Sequence, residues 1–169
     1  PVCISERLLT RWQLRQYIEN GSARIVMPDL IWTGGISETH KIAILASAHQ
    51  VPFAPHDATG PVNIFACSHI CYSSPNAMMQ EHIPAWQKGW YNDFVDPNLD
   101  IRDGFLHASN IPGLGTRLKA GVRDRADAIV RVSDTPGVSG IDAWGDAPQR
   151  LPETQALVDE LEIEWGPKV

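Results

Sequence analysis

The sequence is short of cysteine, of basic residues and of long apolar runs, and each shortage removes a class of protein. Only Cys3, Cys67 and Cys71 are present, an odd and irregularly spaced set that does not make a secreted disulfide scaffold, so reduced thiols are expected. Lys and Arg total 14 against 20 Asp and Glu, a formal charge of −6. Scattered basic residues in an acidic chain exclude a nucleic-acid footprint, which needs clustered Lys and Arg. No stretch approaches the roughly 20 apolar residues of a membrane span, and no basic-then-apolar leader opens the chain. The expectation is a cytoplasmic protein whose partner is a small molecule, with no nucleic acid and no membrane.

What remains has the composition of a globular protein. The 169 residues are 43% hydrophobic and 20% charged, enough for one ordinary domain with a core. A short apolar run, Val2-Cys3-Ile4-Ser5, ends at Glu6, and Leu8 to Asn20 has the spacing of an amphipathic helix closed by Gly21. The alternation repeats. Ala23 to Met27 ends at Pro28-Asp29, and a helix is expected from about Ser37 to His49. Val51 to Ala54 ends at Pro55-His56, and Val62 to Tyr72 reads as a buried helix with few polar positions. Ala77 to Gln80 is the fourth run, ending at Glu81. Four βα units with short loops predict an α/β fold with a parallel sheet covered by helices.

Beyond Glu81 the texture changes. Trp86, Trp90 and Tyr91 lie among polar residues, Asp100 to Gly104 reads as a turn, and Ile111-Pro112-Gly113-Leu114-Gly115 interrupts any regular element. Gly, Pro, Ser and Asp dominate from Asp134 to Pro152 and suggest a loose connection, whereas Glu153 to Trp165 has the character of an acidic helix.

Each of the four strands stops at an ionisable side chain: Glu6, Asp29, His56 and Glu81, separated by 23, 27 and 25 residues. One βα unit of a (βα)8 barrel has about this length, and the carboxyl ends of such strands open onto one mouth where catalytic groups meet. A lone carboxylate after a strand is commonly a helix cap or a solvated loop residue. Four in succession form a mouth that can bind a cation and move a proton.

Ser5-Glu6-Arg7, Met27-Pro28-Asp29-Leu30 with Gly34-Gly35-Ile36, Ala54-Pro55-His56-Asp57 with Gly60-Pro61, Pro75-Asn76 with Gln80-Glu81, and Pro112-Gly113-Leu114-Gly115 agree in order and spacing. This set, over about residues 2 to 133, resembles the mandelate racemase/muconate lactonizing enzyme family of the enolase superfamily, in its galactonate dehydratase type. The resemblance implies the C-terminal half of a (βα)8 TIM-type barrel, four βα units, plus an irregular C-terminal segment. Residues 1–110 would be the half barrel, 111–133 a segment packing back on a capping domain, and 134–169 a tail of unassigned role.

By the same resemblance Glu6 is a carboxylate ligand of Mg2+, Asp29 and His56 form a dyad, and Glu81 hydrogen-bonds the substrate carboxylate. The implied reaction is that of a hydro-lyase on an acid sugar, with a base beside Mg2+ stabilising an enediolate as is general in the superfamily. His56 would take the C2 proton, and loss of the 3-hydroxyl would lead to a 2-keto-3-deoxy acid. A complete barrel needs about 250 residues, so a capping domain, a Lys-x-Lys pair, two further metal carboxylates and an acid histidine are expected from an N-terminal half, in the same or another chain. Without it the chain is expected to be inactive; a homo-oligomer is the family's habit. A racemase or epimerase of the same family, and a non-catalytic subunit or fragment, are the alternatives.

Other signals have structural explanations. On a helix Cys67 and Cys71 share a face and His69 points away, so Cys67-Ser68-His69-Ile70-Cys71 is expected to be core rather than a metal site. His82 leaves the strand on the side opposite Glu81. Asp57 is expected to cap the next helix, and Trp86, Trp90 and Tyr91 to pack against a neighbouring domain. His40, His49, His69 and His107 are treated as structural.

Overall fold

Four short parallel segments run side by side in chain order, defined by their main-chain hydrogen bonds. The structure, a computed structural model, describes residues 1–129. Its first strand, β1 (Cys3–Ile4), pairs in parallel with β2 (Ile25–Val26), Cys3 opposite Ile25. Parallel bridges then join Val26 to Phe53 and Phe53 to Ala77. Amide bonds from Val26 to Pro52 O, Ala54 to Val26 O and Met78 to Phe53 O, at 2.8 to 3.0 Å, stitch the second segment to the third and the third to the fourth. Nearer the carboxyl ends, Asp29 and His56 are themselves bridge partners, and the Glu81 amide bonds to Pro55 O. The regular strands are shorter than the apolar runs, but the pairing extends along them.

Helices connect the segments. In α1 (Thr10–Glu19) Leu14 and Ile18, one turn apart, are buried, while Trp12, Arg15 and Glu19 stay exposed. α2 (Leu30–Thr33) is a single turn capped by Asp29, which the sequence pattern did not suggest. α3 (Ile36–Ala48) buries Thr39, Ile42, Ala43 and Ala46, the i, i+3, i+4, i+7 stripe of a helix lying on a sheet. α4 (Pro61–Ser73) is buried on most sides and starts with Pro at its first turn, after Gly60 at φ 118°, a conformation other residues resist. α1 packs on α3 and α3 on α4; Glu38 of α3 also accepts from the Arg11 amide at 2.8 Å and from the Arg11 guanidinium.

Alternation along the strands sets up the two faces. Val26 and Phe53, both 0% exposed, join Leu14, Ile42, Ala46, Cys67 and Ile70 in the core beneath the helices, with Ile4 and Ala77 packed against it. The positions between them, Cys3, Ile25, Met27 and Met78, fall on the opposite face.

After Glu81 come α5 (Pro84–Lys88), α6 (Tyr91–Phe94), β3 (Val95–Asp96), β4 (Ile101–Arg102), β5 (Phe105–Leu106) and β6 (Arg117–Leu118). β3 pairs antiparallel with β6 and β4 with β5. The turn expected near Asp100–Gly104 is the two-residue loop of a hairpin: Asp103 and Gly104 have φ of 53° and 80°, the mirror-image turn that suits twisted strands. Tyr91, Val95 and Leu99 form a second core with Ile64 and Phe65 of α4. Trp86, Trp90 and Phe94 pack around them, the Trp90 and Tyr91 rings meeting edge-on at 4.5 Å. Tyr91 thus packs within this chain, in a socket against α4, and for Tyr91 the expectation of a neighbouring domain is corrected; Trp90 keeps an exposed face, at 41%. The region expected to be loose over Asp134–Pro152 and the acidic helix over Glu153–Trp165 lie outside the described residues.

Candidate active site

Asp29 and His56 leave adjacent strands at bridge-partner positions, so their side chains emerge together. His56 Nδ1 lies 3.0 Å from Asp29 Oδ2. Asp29 is 0% exposed, and a buried carboxylate requires its lone pairs to be engaged. They are: Oδ1 accepts from the Ile31 and Trp32 amides at 2.9 and 3.4 Å, capping α2, and Oδ2 accepts also from the Thr59 hydroxyl at 3.3 Å. With Oδ2 as acceptor, the proton sits on Nδ1, and Nε2 turns outward with its lone pair free when the ring is neutral.

Nε2 faces two more carboxylates. Glu6 Oε2 lies 3.9 Å away and Glu81 Oε2 3.8 Å away. The three carboxylates at the strand ends therefore converge on the imidazole of the fourth residue, His56. Glu6 is held below the usual carboxylate range, chiefly by a bond from the Ser5 hydroxyl, with smaller help from its own amide, His56 and Arg7. Cys3 lies close enough for both carboxylates to act on it: burial, then the charges of Glu81 and Glu6, push its thiol up.

Matching residues 1–122, the family described as enolase C-terminal domain-like covers most of the chain. This chain belongs to that family. It is 37% identical over 126 residues to a protein named D-galactonate dehydratase from Variovorax paradoxus, covering 70% of this chain and 32% of that one. A protein of the same name from Ralstonia pickettii is 34% identical over 141 residues, covering 80% and 36%. Among solved structures, an enolase from Sargasso Sea environmental sequencing aligns with a TM-score of 0.72 at 41% identity, covering 80% of this chain and 36% of that one. An enolase of the mandelate racemase subgroup from Agrobacterium tumefaciens aligns at 0.68 and 40% identity, over 73% and 34%. The chain spans about a third of the length of the curated relatives it matches.

Family membership directs attention to a divalent cation. Among the described residues no group of three or more His, Cys, Asp or Glu side chains is arranged to hold a metal ion. The donors present suit one in kind, since Glu6 is an anionic oxygen donor at the mouth and Mg2+ takes oxygen ligands. Glu6 would fit as one ligand in a coordination sphere whose other ligands these residues do not supply.

Beneath the mouth lies a polar network that sequence reasoning missed. Asp57 does not cap α4. Its carboxylate is 1% exposed and accepts from Asn63 Nδ2 and Tyr91 Oη, both at 3.1 Å. Burial pushes the Asp57 carboxyl up, against the bonds from Asn63, Tyr91 and the Thr59 amide that favour its charge, and burial beside Asp57 raises the Tyr91 phenol as well. The Asp57 amide donates to Glu81 Oε2 at 2.8 Å. A polar Asp-x-Thr between His56 and Gly60-Pro61 was the available signal for Asp57 and Thr59; nothing near Tyr91 announced it.

Three further ionisable groups lie on α4. Burial pushes up the Cys67 thiol and takes that of Cys71 to about 11, as expected of cysteines on the packed face of a helix, while His69 is exposed on another side. His82 lines a separate hollow with Met78, Met79, Gln80 and the β4–β5 hairpin. His40 lines a hollow between α3 and the end of α4. No helix among the described residues is long and apolar enough to cross a membrane.

Proposed function

We propose that this chain is the C-terminal half of a (βα)8 barrel and supplies part of the active site of a Mg2+-dependent, cytoplasmic hydro-lyase acting on an acid sugar. The observation that carries this reading is the convergence of Asp29, Glu6 and Glu81 on the two nitrogens of His56, at 3.0, 3.9 and 3.8 Å. The relatives named D-galactonate dehydratase support the reaction class.

The physical problem is a proton α to a carboxylate, too weakly acidic to leave near neutral pH unless the enediolate is stabilised. Mg2+, when bound, supplies positive charge toward that enediolate. Glu6 is one of its ligands. His56 Nε2 takes the C2 proton, and Asp29, already bonded to Nδ1, stabilises the imidazolium that results. Glu81 bonds the substrate carboxylate and sets C2 before His56. The 3-hydroxyl then leaves, and the enol product tautomerises to a 2-keto-3-deoxy acid.

The remaining ligands, a capping domain and the acid that protonates the leaving hydroxyl come from an N-terminal half, which also covers the outer edges of the parallel ladder. The assembled protein is a homo-oligomer.

The test uses full-length protein with Mg2+ and a panel of acid sugars, assayed for 2-keto-3-deoxy products. At least one sugar acid is converted, and His56→Asn abolishes conversion without unfolding the protein. Turnover retained by His56→Asn would refute its role as base; no product from any sugar acid would favour the non-catalytic alternative.

A further inference from the structure

We propose that Tyr91 and Asp57 form a positioning pair that ties the irregular segment after the fourth strand to Glu81 and His56. The inference rests on the reading of the mouth given above, but on bonds to Glu81 and His56 that the reading does not itself use.

Asp57 faces two ways. Its amide donates to Glu81 Oε2 at 2.8 Å, the same oxygen that lies 3.8 Å from His56 Nε2. Its carboxylate points into the core and is fixed by Tyr91 Oη and Asn63 Nδ2. Asn63 Nδ2 also donates to the His56 carbonyl at 3.1 Å, so the peptide joining His56 to Asp57 is held on its buried side while its N–H presents Glu81 to the mouth. Glu81 itself is 39% exposed in its side chain, and a carboxylate that free to move takes one position only if a donor holds it there.

Tyr91 completes the arrangement. It is 0% exposed and its ring is fixed in the core of Ile64, Phe65, Val95 and Leu99. Its hydroxyl therefore reaches Asp57 from a rigid base. A buried carboxylate with both oxygens engaged does not rotate, and removing one donor frees it to seek another partner. The consequence falls on the 56–57 peptide, and through it on Glu81.

Hydrogen–deuterium exchange in the full-length protein tests this without substrate. A fragment spanning residues 54–60 contains the His56 amide, bonded to Pro28 O at 3.1 Å, and the Asp57 amide, bonded to Glu81. Tyr91→Phe and Glu81→Gln are each expected to speed exchange of the Asp57 amide at least about tenfold while the His56 amide stays protected, and the double variant to go no faster than either alone. Asp57→Asn keeps the side-chain shape but turns an N–H toward one of the two donors, and gives the same result if Tyr91→Phe does not fold. In catalysis, Tyr91→Phe lowers kcat/KM about tenfold, a loss absent from the Glu81→Gln background. An Asp57 amide still protected in both Tyr91→Phe and Asp57→Asn would overturn the proposal, as would losses that multiply in the double variant. Because exchange needs no turnover, an inactive protein with the expected exchange pattern would count against the dehydratase reading alone.

Discussion

Two regions of this chain are built on different principles. Residues 2–81 are organised by main-chain pairing: each parallel segment is fixed by amide-to-carbonyl bonds to its neighbour, and helices cover one face. Residues 84–118 pair only in two short antiparallel ribbons and are held otherwise by rings, with Tyr91, Val95 and Leu99 packed on α4, and by side-chain bonds such as Tyr91 to Asp57. The ladder carries the four ionisable groups to one mouth, and the ring-packed region braces one of the loops that hold them. Strand ends place a residue to within the strand spacing; a side-chain network below them sets its direction.

That contrast predicts a graded set of responses. Phe53→Ala empties the centre of the ladder, where Phe53 is fully buried, and is expected to cost about 3–5 kcal/mol. Measured by urea denaturation, it should exceed any single substitution in residues 84–118; a smaller cost than Tyr91→Phe would invert the comparison. Tyr91→Phe, which removes only the hydroxyl from a buried carboxylate, should cost about 1–3 kcal/mol, with the Trp86 and Trp90 fluorescence reporting whether the ring cluster survives. Gly104→Ala tests the hairpin alone. A Cβ there meets no atom within 4 Å, but φ is +80°, so the cost should be conformational and about 1 kcal/mol; a much larger loss would mean that the hairpin supports the ladder.

The smallest effect separates, by sign of pH dependence, two carboxylates of the ladder region: Asp57, which bonds to Tyr91 of the ring-packed region, and Glu6, at the mouth. Asp57 is raised above its ordinary value near 3.8 by burial. Its native form therefore binds protons more tightly than its unfolded form, and it subtracts stability progressively as pH rises from that value through the raised one. Glu6 is lowered from its ordinary value near 4.5, so its contribution is present above that value and is lost as pH falls through the lowered one. Asp57→Asn should flatten the first dependence and Glu6→Gln the second, read as melting temperature against pH; the same sign for both would contradict the assigned causes.

Much of the ladder was legible in the sequence because its signals are local. Apolar runs punctuated by Pro28-Asp29, Pro55-His56 and Gln80-Glu81 mark strand ends, and the helices expected from about Ser37 to His49 and from Val62 to Tyr72 are found as Ile36–Ala48 and Pro61–Ser73. The spacing of Glu6, Asp29, His56 and Glu81 made their convergence legible too. What was not legible depends on contacts distant in sequence. Asp57 next to a helix start reads as a cap, yet Tyr91, 34 residues on, draws its carboxylate inward. The single turn of α2 escaped because it owes its existence to Asp29 capping it from the end of β2, a residue whose sequence context spoke only of a strand end.

In the proposed function His56, set by Asp29, removes a proton α to a carboxylate. The most direct test is exchange of the C2 proton with solvent deuterium, followed by NMR, using full-length protein, Mg2+ and a sugar acid lacking the 3-hydroxyl, so that proton abstraction is uncoupled from elimination. The wild type should exchange C2 hydrogen and His56→Asn should not, with Asp29→Asn well below the wild type. Exchange at an equal rate in His56→Asn, or none in a wild-type protein that turns over the intact sugar acid, would contradict the assignment.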